Sequence, residues 1–179
     1  MATPSSWCTP LDKTRLSVRE ITLFGMLAAL TFGAKVAMSA LPNIEPVSLM
    51  VLLFGVVFGW KALFPTYVYV LAEILFYGLG PWNVNYLYIW TILAVAAVLL
   101  RRMRHPLGWA LVSGVYGLAF GALCAPVDVA MGGWGYAAAK WASGIPFDIT
   151  HCAGNFAIAL LLFAPLRNVL ERLYQRMKR

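Results

Sequence analysis

The sequence predicts an all-α membrane protein, a bundle of six transmembrane helices in a single domain that covers residues 1–179. Hydrophobic residues make up 61% of the chain and charged residues only 12%, whereas a soluble domain is roughly half apolar and a quarter charged. The apolar residues also fall in long runs. At roughly 20 residues for each crossing, the chain has room for about six spans and for no separate soluble domain.

The first three predicted spans lie in the N-terminal half of the chain. The first covers about 21–41, and Ser17 is a suitable N-cap before it. The run over 46–79 contains only two charged residues. We divide it at Gly59 into a helical hairpin whose first arm is short for a bilayer.

The other three predicted spans follow a turn-rich break at 78–81. They cover about 86–100, 107–129 and 145–166. The segment between the last two, with glycines and aromatic residues at 132–135, is predicted to be a loop. The ends of the chain are predicted to be an N-terminal segment over 1–16 and a basic tail over 167–179.

The basic residues predict the orientation of the bundle. Lys and Arg in short loops gather on the cytoplasmic side, and with six spans the N-terminal group, Lys61, the cluster at 101–104 and the C-terminal tail all fall on one side. Both termini are therefore predicted to be cytoplasmic. A re-entrant arm over 46–60 is the alternative, but it would place the 101–104 cluster on the opposite side.

The net charge of +7 could also indicate nucleic-acid binding. The basic residues, however, sit in clusters beside the apolar runs rather than along an aromatic-interleaved face. We therefore interpret them as topology determinants and predict no nucleic-acid partner.

Ionisable side chains within spans are costly and usually face a cavity or a partner. Those of this chain are predicted to lie toward the extracellular side: Lys35, Glu73, Asp128, Asp148 and His151. Asp148, His151 and Asn155 share one helix face through their i, i+3, i+7 spacing. We predict that this polar group forms a ligand pocket. The alternative is a membrane scaffold in which Lys35 pairs with Glu73 and Asp148 with His151 as structural ion pairs.

Several aromatic residues near the same side, including Tyr86 and Trp134, have two interpretations. They could stack on a planar ligand, or they could anchor the protein in the membrane interface, where Trp and Tyr concentrate. The residue pattern leaves both open.

The sequence contains few indications of catalysis or metal binding. Cys124, Asp128, Asp148, His151 and Cys152 could approach one another, but they form no tight ligand motif, so we predict no metal and no cofactor. The chain has neither a GxSxG elbow nor a P-loop. An intramembrane enzyme that uses Asp148 and His151 as an acid and base pair is a weaker alternative.

Small residues recur every fourth position along the first helix, at Gly25, Ala29, Gly33 and Ala37. Such a stripe allows close helix contact. It either packs within the bundle or forms the surface that meets another subunit.

Taken together, several features resemble a known family. They are the basic N-terminus that leads into 16–21, the small-residue first helix, the run Leu-Pro-Asn-Ile-Glu-Pro-Val-Ser at 41–48 and the segments at 60–63, 85–90 and 144–148. They are similar to substrate-binding S-components of bacterial energy-coupling factor transporters for vitamins. The resemblance covers nearly the whole chain, although its individual motifs are only moderately specific.

The resemblance implies a function without chemistry. Such proteins bind a micronutrient at the outer face of the plasma membrane and deliver it inward with a transmembrane coupling protein and two cytoplasmic ATPases. A pyridoxine-like vitamin, a queuosine precursor or cobalamin would be compatible ligands. In the family an Ala-x-x-x-Ala pattern on the first helix contacts the coupling protein, and here glycine alternates with alanine at the matching positions.

The resemblance also implies which residues line the pocket, namely the loop after the first helix and the outer ends of the later helices. The matching positions are Asn43, Glu45, Asn83, Asn85, Tyr86, Trp134, Asp148, His151 and Asn155. Lys35, Glu73 and Asp128 join this predicted site through their charge and depth alone.

Overall fold

The computed structural model describes residues 16–41, 44 and 46–178. In that part of the chain every regular element is a helix. The elements are α1 (Val18–Ala37), α2 (Val47–Phe58), a short 3-10 segment (Gly59–Ala62), α3 (Leu63–Tyr77), α4 (Pro81–Leu99) and α5 (Pro106–Met177). Four described stretches are long and apolar enough to cross a membrane: α1, Val47–Tyr77, α4 and α5. The predicted all-α membrane character is therefore confirmed.

Helix α1 begins with a capping box, in agreement with the predicted cap. The Ser17 hydroxyl accepts a hydrogen bond from the Glu20 N–H at 3.2 Å, and the Glu20 carboxylate accepts one from the Ser17 N–H at 2.9 Å. Together these bonds satisfy two backbone donors. The helix begins at Val18 and ends at Ala37, a few residues before each end of the predicted span.

The predicted division at Gly59 coincides with a break between α2 and α3. Gly59 has φ 61° and ψ −135°, a conformation that glycine adopts without steric cost. Helix α2 has only 12 residues, and all but two of them are buried. It lies in the core, where a Cβ at Gly55 would lie 3.0 Å from the Ala94 carbonyl oxygen of α4.

Helix α4 begins at Pro81, five residues before the predicted start at 86. Proline suits a first helical turn because its φ is already helical and its missing N–H is not needed there. The side chain of Asn83 then reaches back, and its Oδ1 accepts a hydrogen bond from the Gly80 N–H at 2.6 Å. The predicted break is therefore present at 78–80, and only its last residue, Pro81, belongs to the helix.

The predicted loop between the last two spans is wrong, because helical structure runs from 106 to 177 and only Gly133 departs from it, with φ 79° and ψ 179°. A straight helix of 72 residues would be about 108 Å long. Instead the chain folds back at Gly133. The Gly121 N–H donates to Asp148, and Lys140 pairs with Asp128, so the first arm (106–132) and the second arm (134–177) are antiparallel. Most of the predicted basic tail continues the second arm.

Contacts between the helices define two ends of the bundle. At one end, which we call the basic end, the Lys61 ammonium lies 2.7 Å from Glu20, and Arg19 donates to the Met177 carbonyl at 3.1 Å. At the opposite end Lys35 pairs with Glu73. Helices α1 and α3 therefore run in the same direction, and both ends of the described chain lie at the basic end.

Candidate functional site

An ion pair joins α1 and α3 at the opposite end of the bundle. The Lys35 ammonium lies 2.7 Å from Oε2 of Glu73, whose side chain is only 2% exposed. The ammonium also lies over the rings of Tyr77 and Tyr86, at 5.7 and 5.6 Å from their centroids. This pair is the one that the scaffold interpretation predicted. Only one carboxylate oxygen is used, since Oε1 of Glu73 has no hydrogen-bond partner among the described residues.

The second arm of α5 presents a polar stripe to the interior. Asp148, His151 and Asn155 are buried, whereas Ile149 and Thr150 between them are exposed, so the predicted shared face is confirmed. Each of these side chains has a contact through one part and a polar atom without a hydrogen-bond partner among the described residues. Asp148 Oδ1 accepts a hydrogen bond from the Gly121 N–H at 3.1 Å, and His151 packs edge-on against a phenylalanine ring.

Asn155 connects the polar stripe to two neighbouring helices. Its amide donates to the Ser48 hydroxyl near the start of α2 at 3.0 Å, and it lies 3.4 Å from the Ser113 carbonyl oxygen. Residues on α2 and on both arms of α5 therefore meet at this point.

A row of aromatic rings links the ion pair to the polar stripe. Lys35 lies over Tyr86, the Tyr86 ring is 5.6 Å from Trp90, Trp90 is 6.1 Å from Phe120, and Phe120 is 5.0 Å from His151. Trp90 is fully buried at the centre of this row. The charged groups of α1 and α3 and the polar groups of α5 thus border one aromatic cluster.

Polar atoms around this cluster are buried without partners in the described part of the chain. They include Glu73 Oε1, Trp90 Nε1, Ser113 Oγ, Asp148 Oδ2, His151 Nε2 and Asn155 Oδ1. A buried polar atom without a hydrogen bond is costly, the more so in a bilayer, where the surrounding lipid cannot supply one. Such a concentration of unused donors and acceptors indicates a place where a ligand or ordered water completes the hydrogen bonding.

Other predicted site residues have roles away from this cluster. Trp134 is 81% exposed, as expected for an interface anchor. Asp128 is paired with Lys140, and Asn83 caps α4. Asn85 Oδ1 lies 2.9 Å from the Tyr88 hydroxyl.

Two of the predicted pocket residues, Asn43 and Glu45, lie outside the described residues. The loop that the resemblance places over the pocket therefore remains a prediction.

The geometry also bears on the metal and enzyme interpretations. Among the described residues, no three His, Cys, Asp or Glu side chains are close enough to hold a metal ion. Asp148 and His151 form neither the predicted ion pair nor an acid and base pair with each other, because the Asp148 carboxylate is directed toward Gly121 of the first arm.

Sequence reasoning missed two contributors to the site and one ion pair outside it. Ser48 and Ser113 were not selected because small polar residues within apolar runs usually bond to their own helix backbone. Lys140 was placed in a loop, so its pairing with Asp128 could not be anticipated. The sequence signal for Ser113 was the neighbouring Gly114. The two arms of α5 are close at this glycine, since a Cβ there would lie 3.4 Å from the Cys152 carbonyl oxygen.

In the part of the chain that the structure describes, the fold and the buried polar cluster define the class: an all-helical membrane protein whose interior contains polar atoms with incomplete hydrogen bonding. Comparison with protein-family models, with curated proteins and with solved structures finds no match to this chain.

Proposed function

We propose that this chain is the substrate-binding S-component of an ATP-driven energy-coupling factor importer in a bacterial plasma membrane, and that it captures a vitamin-like micronutrient from outside. The observation that supports this proposal best is the set of unpartnered polar atoms around Trp90. A purely structural core would have no need to bury so many unused donors and acceptors.

The proposed topology has six crossings with the basic end in the cytoplasm. Two of the four long stretches contain a glycine with positive φ, Gly59 in one and Gly133 in the other. Dividing these two stretches at Gly59 and Gly133 gives six helical segments in total. The side chains of Arg19, Lys61 and Arg101 then lie on the cytoplasmic side, as the distribution of Lys and Arg in membrane proteins requires.

The site suits a planar heterocycle that carries both hydrogen-bond donors and acceptors. Trp90 Nε1 offers a donor, while Glu73 Oε1, Asp148 Oδ2 and Asn155 Oδ1 offer acceptors. Aromatic rings beside them provide flat apolar contact surface. A pyridoxine-like vitamin, a queuosine precursor or cobalamin has the required combination of a flat ring system and polar edges.

The small-residue stripe of α1 supports the proposed contact with a transmembrane coupling protein, which works with two cytoplasmic ATPases. Ala29, Gly33 and Ala37 are exposed, and a Cβ at Gly25 or Gly33 would meet nothing within 4 Å. The stripe is therefore available for close packing against another helix.

The first prediction tests the polar stripe. We expect Asp148→Asn and His151→Ala each to weaken ligand binding about tenfold, because each removes a hydrogen-bonding group worth about 1.5 kcal/mol. The ligand is first identified by mass spectrometry of the small molecules that co-purify with the protein, and its affinity is then measured by calorimetry. Trp134→Ala is the control, since this side chain is exposed. Unchanged affinity in both stripe variants would place the pocket elsewhere.

The second prediction tests the α1 stripe. We expect Gly33→Leu to retain ligand affinity but to reduce uptake into cells that contain the coupling module by about tenfold, because the leucine side chain holds the two helices apart. Uptake of labelled ligand and binding to the purified protein are measured in parallel. Loss of binding in this variant would show that the stripe packs inside the bundle.

A membrane scaffold is the second candidate function, favoured by the Lys35–Glu73 pair. The two candidates differ in their response to a panel of vitamins in a thermal unfolding assay. A ligand at 100 times its dissociation constant adds about 2.7 kcal/mol to stability. A scaffold would gain nothing from any member of the panel.

A further inference from the structure

A groove of about 500 Å³ opens at the basic end, between the α2–α3 connection and the end of α5. Three cationic side chains line it, Lys61, Arg101 and Lys178, together with Trp60. Lys61 is paired with Glu20. Arg101 and Lys178 form no ion pair with a described carboxylate, so the groove carries a net positive charge.

A second groove, also of about 500 Å³, runs along the exposed face of α3. Its lining is almost entirely apolar and includes Trp60, Phe64, Tyr67 and Leu71. Trp60 lines both grooves, so the positive groove and the apolar groove lie next to each other at this residue. The side chain of Trp60 is 60% exposed, as is typical of tryptophan at a membrane interface.

We propose that these two grooves form one binding site for an anionic phospholipid. The phosphate of the headgroup lies between Arg101 and Lys178, and an acyl chain lies along Phe64 and Leu71. A site for a free phosphate would need only the positive groove. The adjacent apolar groove favours a lipid, because a soluble anion has no apolar chain to occupy it.

Charge complementarity and position both fit this occupant. Anionic lipids are concentrated in the cytoplasmic leaflet, and basic residues near that surface attract them. Arg101 can hold a phosphate through two parallel N–H bonds, and Lys178 adds a second point charge. Gly59 leaves the Arg101 guanidinium uncrowded, since a Cβ at Gly59 would lie 3.5 Å from it and would meet no other non-adjacent side chain of the described residues within 4 Å.

The test uses the full-length protein in a mild detergent and native mass spectrometry with phosphatidylglycerol or phosphatidylcholine. We expect phosphatidylglycerol to be retained in preference to phosphatidylcholine. The double variant Arg101→Gln, Lys178→Gln is expected to weaken phosphatidylglycerol binding about 25-fold, or about fivefold for each basic residue. Phe64→Asn is expected to weaken it as well, while leaving the positive groove intact.

The matched control is Arg102→Gln with Arg172→Gln, which removes the same charge from exposed positions outside the groove. It is expected to change lipid binding less than twofold. Equal losses in the two double variants would overturn the proposal in favour of general surface charge. Equal retention of phosphatidylcholine, or competition by glycerol phosphate at the concentration of the lipid, would also overturn it, the latter by showing a site for soluble phosphate only.

Discussion

Replacing Lys35 by methionine is expected to lower the free energy of unfolding by about 3–5 kcal/mol, the range found when one partner of a buried ion pair is removed. The variant leaves Glu73 almost fully buried, with one oxygen already unpartnered and the other newly so. Unfolding in mixed micelles of increasing denaturing detergent, followed by circular dichroism, measures the change.

The double variant Lys35→Met, Glu73→Met separates two contributions to the loss of stability. One is the cost of a buried carboxylate without a cation, and the other is the loss of the two side chains themselves. Replacing a whole buried pair by apolar residues is often neutral, so we expect the double variant to regain most of the lost stability. A double variant as unstable as Lys35→Met would contradict this account. The double variant should nevertheless lose ligand affinity if the pair belongs to the proposed pocket.

Gly117→Ala is expected to destabilise the protein by about 2–3 kcal/mol, the upper part of the range for overpacking. A Cβ at this position would lie 2.8 Å from the carbonyl carbon and oxygen of His151. Backbone atoms cannot rotate away as a flexible side chain can, so the two arms of α5 must separate. Because the displaced residue is His151 itself, ligand affinity should fall with stability, and both are measured on the same preparation.

Gly33→Ala is the matched control for this experiment. It adds the same methyl group to a helical glycine, but into open space. Since alanine is the better helix former by about 1 kcal/mol, the control should be neutral or slightly stabilising. If the two variants behave alike, close contact between the arms is not what determines stability here.

Much of the helical framework could be predicted from the sequence, because long apolar runs and glycine breaks are local properties. The cap at Ser17 and the break at Gly59 are examples. The helix through 134–144 was not predicted. The glycines at 132, 133 and 135 disfavour a helix, and the predicted loop gave them more weight than the helix-forming alanines at 137–139. Within 106–177 the structure has a single break, at Gly133, after which the helix resumes.

For the site, spacing predicted that Asp148, His151 and Asn155 share a face, since a helix fixes that relation. Spacing could not show what the face meets. Trp90 is an example. A tryptophan near the end of an apolar run could be an interface anchor or a buried residue, and in the structure its side chain has no exposed surface. Only the packing of α4 against α3 and α5 distinguishes these cases.

The length of α2 has a consequence for access. Twelve residues rise only about 18 Å, roughly 12 Å less than the hydrocarbon core of a bilayer. In the proposed orientation the missing turns would have occupied the outer leaflet, directly above the Ser48–Asn155 hydrogen bond. In that orientation the Ser48–Asn155 hydrogen bond would lie within the hydrocarbon core rather than at its outer boundary, so the polar stripe would be reached from outside only below the membrane surface.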